Sequence, residues 1–212
     1  MDDMVLAARE VQAKSVMSKL EAHGFEPYWA ASAAEARAIV AGMVPADASV
    51  AWGGSATFTE SGVKAMLEER GCTMVGREEG ATEEERHRAF MATLDADFFF
   101  MSANAVTLNG ELVNIDGNSN RLAALLHGPR HVVVIAGMNK VARDVEAGIE
   151  RTRTQCCPVN ATRLGTGTPC QKLGVCPECH AENCMCCNVV VSRHNRARGR
   201  IKVILVGENL GF

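Results

Sequence analysis

Apolar residues follow two kinds of pattern along this chain. Helical spacing predicts a helix over residues 2 to 23, and capping-box sequences at 32 to 35, 57 to 60 and 82 to 85 predict three more helix starts. Two further helices are predicted over about 119 to 127 and 141 to 153. Short, continuous apolar runs predict buried strands at 49–52, 72–76, 97–103, 131–137, 188–192 and 201–207.

Strands that alternate with helices and are apolar on both sides are typical of a mainly parallel sheet with helices on both faces. One segment departs from this pattern. VTLNGELVNI has alternating flanks around Asn109 and Gly110, a pair that favours a tight β-hairpin turn. The sequence therefore predicts a single α/β domain over residues 1–212 with a β-hairpin insertion.

Small and polar residues directly follow four of the predicted strands. They are Gly53, Gly54 and Ser55; Ser102, Ala103 and Asn104; Gly137, Met138, Asn139 and Lys140; and Gly207, Glu208 and Asn209. Between the hairpin and the next helix, the stretch NIDGNSNR adds Asn114, Asp116, Asn118, Asn120 and Arg121. Each group alone is compatible with ordinary turn chemistry. In parallel sheets, however, ligands bind outside the carboxyl ends of the strands, so together the groups predict a ligand site at that edge.

Composition narrows the class of protein. The chain has 212 residues, 47% of them hydrophobic, and a net charge of -3, which gives no reason to expect binding to nucleic acid. No apolar run approaches the ~20 residues of a membrane span, and the charged start MDDMVLAAREVQAK is unlike a signal peptide. We therefore expect a cytoplasmic protein, in which the nine cysteines stay reduced.

Several segments together resemble the lactate-utilisation (LUD) domain family. They are WGGS, SANAVTLNGELVNIDGNSNRLAALLHGP, VVVIAGMNK, TPCQKLGVCPEC and IKVILVGENLGF. The resemblance implies a Rossmann-like fold similar to the superfamily of ribose-5-phosphate isomerase, glucosamine-6-phosphate deaminase and CoA transferases. It also implies a role in oxidation of lactate, or a related 2-hydroxy acid, beside iron–sulfur redox partner proteins.

Site residues carried over from the family coincide with the strand-end residues. Those predicted to bind a small anionic substrate or metabolite are Gly53, Gly54, Ser55, Asn104, Asn118, Asn120, Arg121, Asn139 and Lys140. In this scheme Lys140, at the rim, and Arg121 neutralise the anion, and the Gly53–Ser55 amides hydrogen-bond it. Asp116 is the best candidate for a catalytic base, and Gly117 also matches the family pattern. No glutamate stands where a CoA transferase would place its nucleophile, which argues against coenzyme A transfer.

Six of the cysteines fall between residues 170 and 187, within a cysteine-rich segment that we define as residues 166–187. In a reducing compartment, with an odd number of cysteines, such a cluster indicates a metal site or redox chemistry rather than disulfides. The preferred metal ligands are Cys170, Cys176, Cys179 and Cys186, with Cys184 and Cys187 as substitutes. Four thiolates suit either a [4Fe–4S] cluster or structural zinc. The resemblance favours the cluster, and a redox disulfide between Cys176 and Cys179 is a weaker alternative.

Two functions therefore stay open. The first is a component of 2-hydroxy-acid oxidation linked to iron–sulfur electron transfer. The second is a non-catalytic metabolite-binding or regulatory module with a structural zinc site.

Overall fold

A computed structural model describes residues 3–76 and 82–212. Its helices are α1 (Asp3–Ala22), α2 (Ala33–Met43), α3 (Ala56–Glu60), α4 (Val63–Glu69), α5 (Glu83–Asp95), α6 (Asn120–Leu126), α7 (Val145–Arg151), α8 (Cys157–Leu164) and α9 (Pro169–Leu173). Its strands are β1 (Glu26–Ala30), β2 (Ser49–Trp52), β3 (Thr73–Val75), β4 (Phe98–Met101), β5 (Ala105–Thr107), β6 (Leu112–Asp116), β7 (His131–Gly137), β8 (Val141–Ala142), β9 (Asn188–Ser192) and β10 (Ile201–Val206). A 3₁₀ turn, Met138–Lys140, and a π-helical turn, Thr152–Cys156, complete the elements.

Six parallel strands form the main sheet, in the order β1-β10-β7-β4-β2-β3. Alternate residues of the central strands serve opposite faces. In β7, Val132 and Val134 pack into one core, whereas Val133 and Ile135 pack into the other. The first core includes residues of α1 and α6, and the second includes residues of α2, α3 and α4. The predicted α/β fold, with helices on both faces of a mainly parallel sheet, is confirmed.

A second, smaller sheet has the order β8-β5-β6-β9. The predicted hairpin forms its centre, with β5 antiparallel to β6. Strand β9 pairs antiparallel with β6 along five residues, so that it brings the end of the cysteine-rich segment beside the hairpin. The peptide N–H of Cys187 donates to the carbonyl of Asp116 at 3.0 Å and extends this contact.

Some local predictions need correction. The sequence from the predicted helix start at 57 to 60 onward forms two helices, α3 and α4, because Gly62 adopts a left-handed conformation (φ 72°) that interrupts the helical hydrogen bonding. The N-cap of α3 is Ser55, whose side chain accepts from the amide of Phe58, and not the predicted Thr57. The segment predicted as a helix from Val141 begins instead as the short strand β8.

Other caps behave as the sequence predicts. Thr82 and Glu85 form a reciprocal capping box at the start of α5. At α2 the hydroxyl of Ser32 accepts from the amide of Glu35, while the Glu35 carboxylate accepts from Ala31, one residue before the cap.

Candidate functional site

The carboxyl ends of the parallel strands meet at one edge of the main sheet, beside the small sheet. A cavity of about 540 Å³ lies there. It is lined from the strand ends and the hairpin by Gly54, Asn104, Asp116, Gly117, Asn118, Asn120 and Arg121, and from the C-terminal part by Thr152, Cys156, Cys157, Asn160, Arg163, Cys184 and Cys186, among others. Chain segments far apart in sequence thus share one cavity, which we call the strand-end cavity.

A cavity of similar volume, about 550 Å³, lies between α1 and β1. Residues that precede β1 and β10 line it, including Gly24, Phe25 and Gly199, so it is at the amino ends of the strands. Ligands of parallel sheets bind outside the carboxyl ends of the strands, so the strand-end cavity is the candidate functional site.

Arg121 joins several chain segments by hydrogen bonds at the strand-end cavity. Its guanidinium donates to the carbonyls of Ser102 and Ile115 at 3.2 and 2.8 Å. Further bonds go to the side-chain oxygens of Asn104 (3.1 Å), Asn114 (3.5 Å) and Asp116 (3.5 Å). These five acceptors occupy the guanidinium, so Arg121 fixes the hairpin against the end of β4 and contributes its charge, rather than a free donor, to the cavity.

Asp116 and Asn104 are held in the same network. The Asn104 side-chain oxygen accepts from the amide of Ile115 at 2.9 Å as well as from Arg121. The Asp116 side chain is 16% exposed and pairs with Arg121. Its carboxylate therefore borders the cavity while a cation lies beside it.

Lys140 is buried, with 3% of its surface exposed, rather than at the predicted rim. Its ammonium donates to the hydroxyls of Thr57 and Ser102, each at 2.9 Å. A pocket of about 40 Å³ lies beside it and shares Gly54, Asn104, Arg121 and Asn160 with the larger cavity. We call it the lysine pocket.

Burial lowers the pKa of Lys140 to about 8, and the positive charges of Arg151 and Arg121 act in the same direction. Cys156 and Glu60 oppose this shift. Burial also lowers the pKa of Arg121, against the opposing effect of Asp116.

Arg151, which the sequence analysis did not single out, is the third cation at this edge. It is 9% exposed and donates to the carbonyls of Asn139 (3.0 Å) and Asn104 (2.6 Å) and to the sulfur of Cys156 (3.0 Å). Within the described ranges, Asp116 is the only carboxylate in an ion pair with Arg121, Lys140 or Arg151. The edge therefore carries an excess of buried positive charge.

The remaining predicted ligand-binding residues divide into those that line a cavity and those whose polar groups are bonded within the protein. Asn118 and Asn120 line the strand-end cavity, and Ser55 lines the lysine pocket while it caps α3. The Gly53 amide donates to the carbonyl of Phe100 at 2.9 Å. Asn139 accepts from the amide of Leu210 and donates to the carbonyl of Gly211, so its side chain holds the C-terminal residues.

The cysteines are all free thiols. Cys157 and Cys186 have their sulfurs 3.1 Å apart, and the sulfur of Cys184 accepts from the amide of Cys186 at 3.4 Å. Cys170 is buried, with its sulfur 3.2 Å from the hydroxyl of Thr168. Over residues 3–76 and 82–212, no three Cys, His, Asp or Glu side chains are grouped as metal ligands. The predicted set Cys170, Cys176, Cys179 and Cys186 stays a prediction.

Crowding and burial keep two of these thiols protonated. Burial raises the pKa of Cys184 to about 11, with further increases from Cys186 and Cys179 and an opposing effect of the Cys186 amide. The contact with Cys157, followed by burial, raises the pKa of Cys186. A thiophilic cation would reverse this balance, because it binds the thiolate form.

Comparison with known protein families identifies the family of this chain. A family model described as the LUD domain matches residues 13–206. The chain belongs to the LUD domain family. At the level of the family, this membership supports a role related to lactate utilisation.

A solved structure supports the fold of this LUD domain. It is the crystal structure of a DUF162 family protein from Deinococcus radiodurans, with a TM-score of 0.55 and 16% sequence identity. The match covers 94% of this chain and 98% of that one. No curated protein matches the chain. In the described part of this LUD domain, no helix is long and apolar enough to cross a bilayer.

Proposed function

We propose that this LUD domain binds a small organic anion at the carboxyl ends of its strands, as a component of the oxidation of lactate or a related 2-hydroxy acid. The observation that carries the proposal is the set of three largely buried cations, Arg121, Lys140 and Arg151, with one paired carboxylate, Asp116. Family membership supplies the class of metabolism, and the cavity supplies the space.

Lys140 is the cation best suited to recognise the anion. The Arg121 and Arg151 guanidiniums are engaged with protein acceptors, whereas the partners of the Lys140 ammonium are two neutral hydroxyls. A buried charge without a counter-ion is unfavourable, and a ligand carboxylate would relieve that cost through a charge-assisted hydrogen bond. Asp116 lines the strand-end cavity, and we assign it the role of accepting a proton from a bound hydroxy acid.

Isothermal titration calorimetry with L-lactate, pyruvate and inorganic phosphate tests the proposal. We expect one of the carboxylates to bind, and Lys140→Met to weaken its affinity at least about tenfold, since loss of a charged hydrogen bond amounts to roughly 1.5–3 kcal/mol. Lys14→Met is the matched control, because Lys14 is exposed on α1 and pairs with Glu10. Binding that is unchanged in Lys140→Met, or absent for every anion, would contradict the proposal.

We further infer that the cysteine-rich segment holds a [4Fe–4S] cluster in preference to zinc, with Cys170, Cys176, Cys179 and Cys186 as ligands. Four thiolates are the donor chemistry that either group needs, although the thiols must rearrange to form one ligand set. When bound, the cluster would supply one-electron transfer. Anaerobically purified protein should contain iron and sulfide and absorb broadly near ~400 nm.

Stoichiometric zinc without colour would favour the alternative, a metabolite-binding regulatory module. One observation supports a structural zinc ion that would hold the cysteine-rich segment together. Leu173 and Val175, two of the three larger apolar residues of the segment, are 62% and 44% exposed, so the segment buries little apolar surface of its own.

A further inference from the structure

We propose that the Lys140 amine is a nucleophile that forms an imine with the carbonyl carbon of a 2-oxo acid bound in the strand-end cavity. This inference rests on the proposed function, because the ligand must first occupy that cavity. It goes further because it proposes a covalent reaction in the lysine pocket and requires a ligand that contains a carbonyl group.

The position of the amine is the first argument. Lys140 lies in the wall of the lysine pocket, which adjoins the strand-end cavity through Gly54, Asn104 and Arg121. A pocket of about 40 Å³ admits only a few atoms, such as the reacting end of a small acid. The rest of the ligand would then extend into the larger cavity.

The surroundings of the amine are the second argument. Among the described residues no carboxylate forms an ion pair with Lys140, so the acidic groups that favour its charged form, Cys156 and Glu60, act only through electrostatics. Arg121 and Arg151 are near enough to act electrostatically on it. Desolvation and a neighbouring cation are the two means by which proteins activate lysine as a nucleophile. A lysine pKa of about 8 leaves an appreciable fraction of neutral amine at neutral pH.

The hydroxyls beside the amine are the third argument. Thr57 and Ser102 each lie 2.9 Å from Nζ, and when the amine is neutral one of these hydroxyls can turn from its carbonyl acceptor, Leu210 or Ala103, and donate to the nitrogen. Imine formation needs proton transfers between the nitrogen and the departing oxygen, and hydroxyls at this distance can relay them.

The reaction balances without an oxidant. The Nζ lone pair attacks the carbonyl carbon, the C=O π electrons move to oxygen, and a carbinolamine forms. Two protons pass from the nitrogen to the oxygen, one as the carbinolamine forms and one as it dehydrates, so the oxygen leaves as water and one C=O bond is exchanged for one C=N bond. The Arg121 charge lies on the wall where the ligand carboxylate would sit.

Trapping with sodium cyanoborohydride tests the inference. The full-length protein is incubated with pyruvate or glyoxylate, reduced, digested and analysed by peptide mass spectrometry. We expect a stable secondary amine on Lys140, labelled at least about tenfold faster at neutral pH than the exposed Lys14 in the same digest. Solvated lysines, with a pKa of about 10.4, hold far less neutral amine. The labelling rate of Lys140 should rise between about pH 7 and pH 9 and then level off.

The variants separate the two proposals. Lys140→Arg keeps the charge but cannot form the imine, and Lys140→Met loses both. Lys14→Met should leave the labelling of Lys140 unchanged. Absence of an adduct on Lys140, or equal labelling of Lys140 and Lys14, overturns the inference. If calorimetry still shows pyruvate binding, only the covalent step fails. If neither pyruvate nor glyoxylate binds or labels the protein, both proposals fail.

Discussion

Replacing Lys140 by methionine should change how the free energy of unfolding depends on pH. Burial lowers the pKa of Lys140 to about 8 in the folded protein, against 10.5 for a lysine side chain in water. The unfolded chain therefore binds this proton more tightly, and the wild-type protein gains stability as pH rises from about 8 to about 10.5. The full difference corresponds to about 3 kcal/mol, of which about 2 kcal/mol should be gained between about pH 7 and pH 9.5.

The variant should lack this gain and be the more stable protein at neutral pH when no ligand is present. Methionine has a similar length and carries no charge to desolvate. The two hydroxyls that lose the ammonium keep their own acceptors, since Thr57 donates to the carbonyl of Leu210 and Ser102 to that of Ala103. The loss of their contact with Lys140 should offset about 1 kcal/mol of the benefit.

Urea unfolding under reducing conditions, at about pH 7 and pH 9.5, measures the effect. The quantity that matters is the difference between wild type and variant at each pH, because the cysteines titrate in both proteins and their contributions cancel. Lys14→Met serves as the control for loss of an exposed lysine charge. Equal pH dependence in wild type and Lys140→Met would show that the Lys140 pKa is not lowered, and would remove the basis for a reactive amine.

Two further predictions concern the backbone at the strand ends and the thiol pair. Gly137→Ala should destabilise the protein by about 3 kcal/mol in urea unfolding, because the new Cβ would meet the Asn139 side chain and lie 2.6 Å from the amide of Leu210. Gly54→Ala, with nothing within 4 Å of its Cβ, should change stability by no more than about 0.5 kcal/mol, and equal effects would contradict this account. Mild oxidation should link Cys157 to Cys186 first, since their sulfurs are 3.1 Å apart and the bond needs roughly 1 Å of closure; peptide mapping that finds a different first disulfide would show that this pair does not persist in solution.

The sequence predicted elements well where local chemistry alone decides them. The capping box of Thr82 and Glu85 depends on residues three apart, and the hairpin turn depends on the Asn109–Gly110 pair. Strand β1 was missed because Glu26 and Pro27 interrupt its apolar pattern. Among the described strands its one neighbour is β10, so it lies at the edge of the main sheet, where a proline without an N–H is tolerated.

The grouping of Asn104, Asp116 and Arg121 could be inferred from the sequence because parallel strands direct their carboxyl ends to one edge. The roles of individual side chains at that edge could not. Asn139 resembled a ligand-binding residue, yet its amide group holds Leu210 and Gly211. The same C-terminal residues help to enclose Lys140, since Gly211 and Phe212 lie beside it and its pocket.

The sequence by itself determined the alternation of helices and strands, the parallel sheet and the edge at which polar residues gather, because these follow from patterns within a few residues. Tertiary structure alone decided which charges are buried and which acceptors they find. Lys140 is enclosed by Thr57, Ser102 and the C-terminal residues, and Arg151 reaches Asn104 across 47 positions of sequence. Burial and its effect on pKa depend on all the groups that surround a side chain, and those groups come from parts of the chain that meet only in the fold.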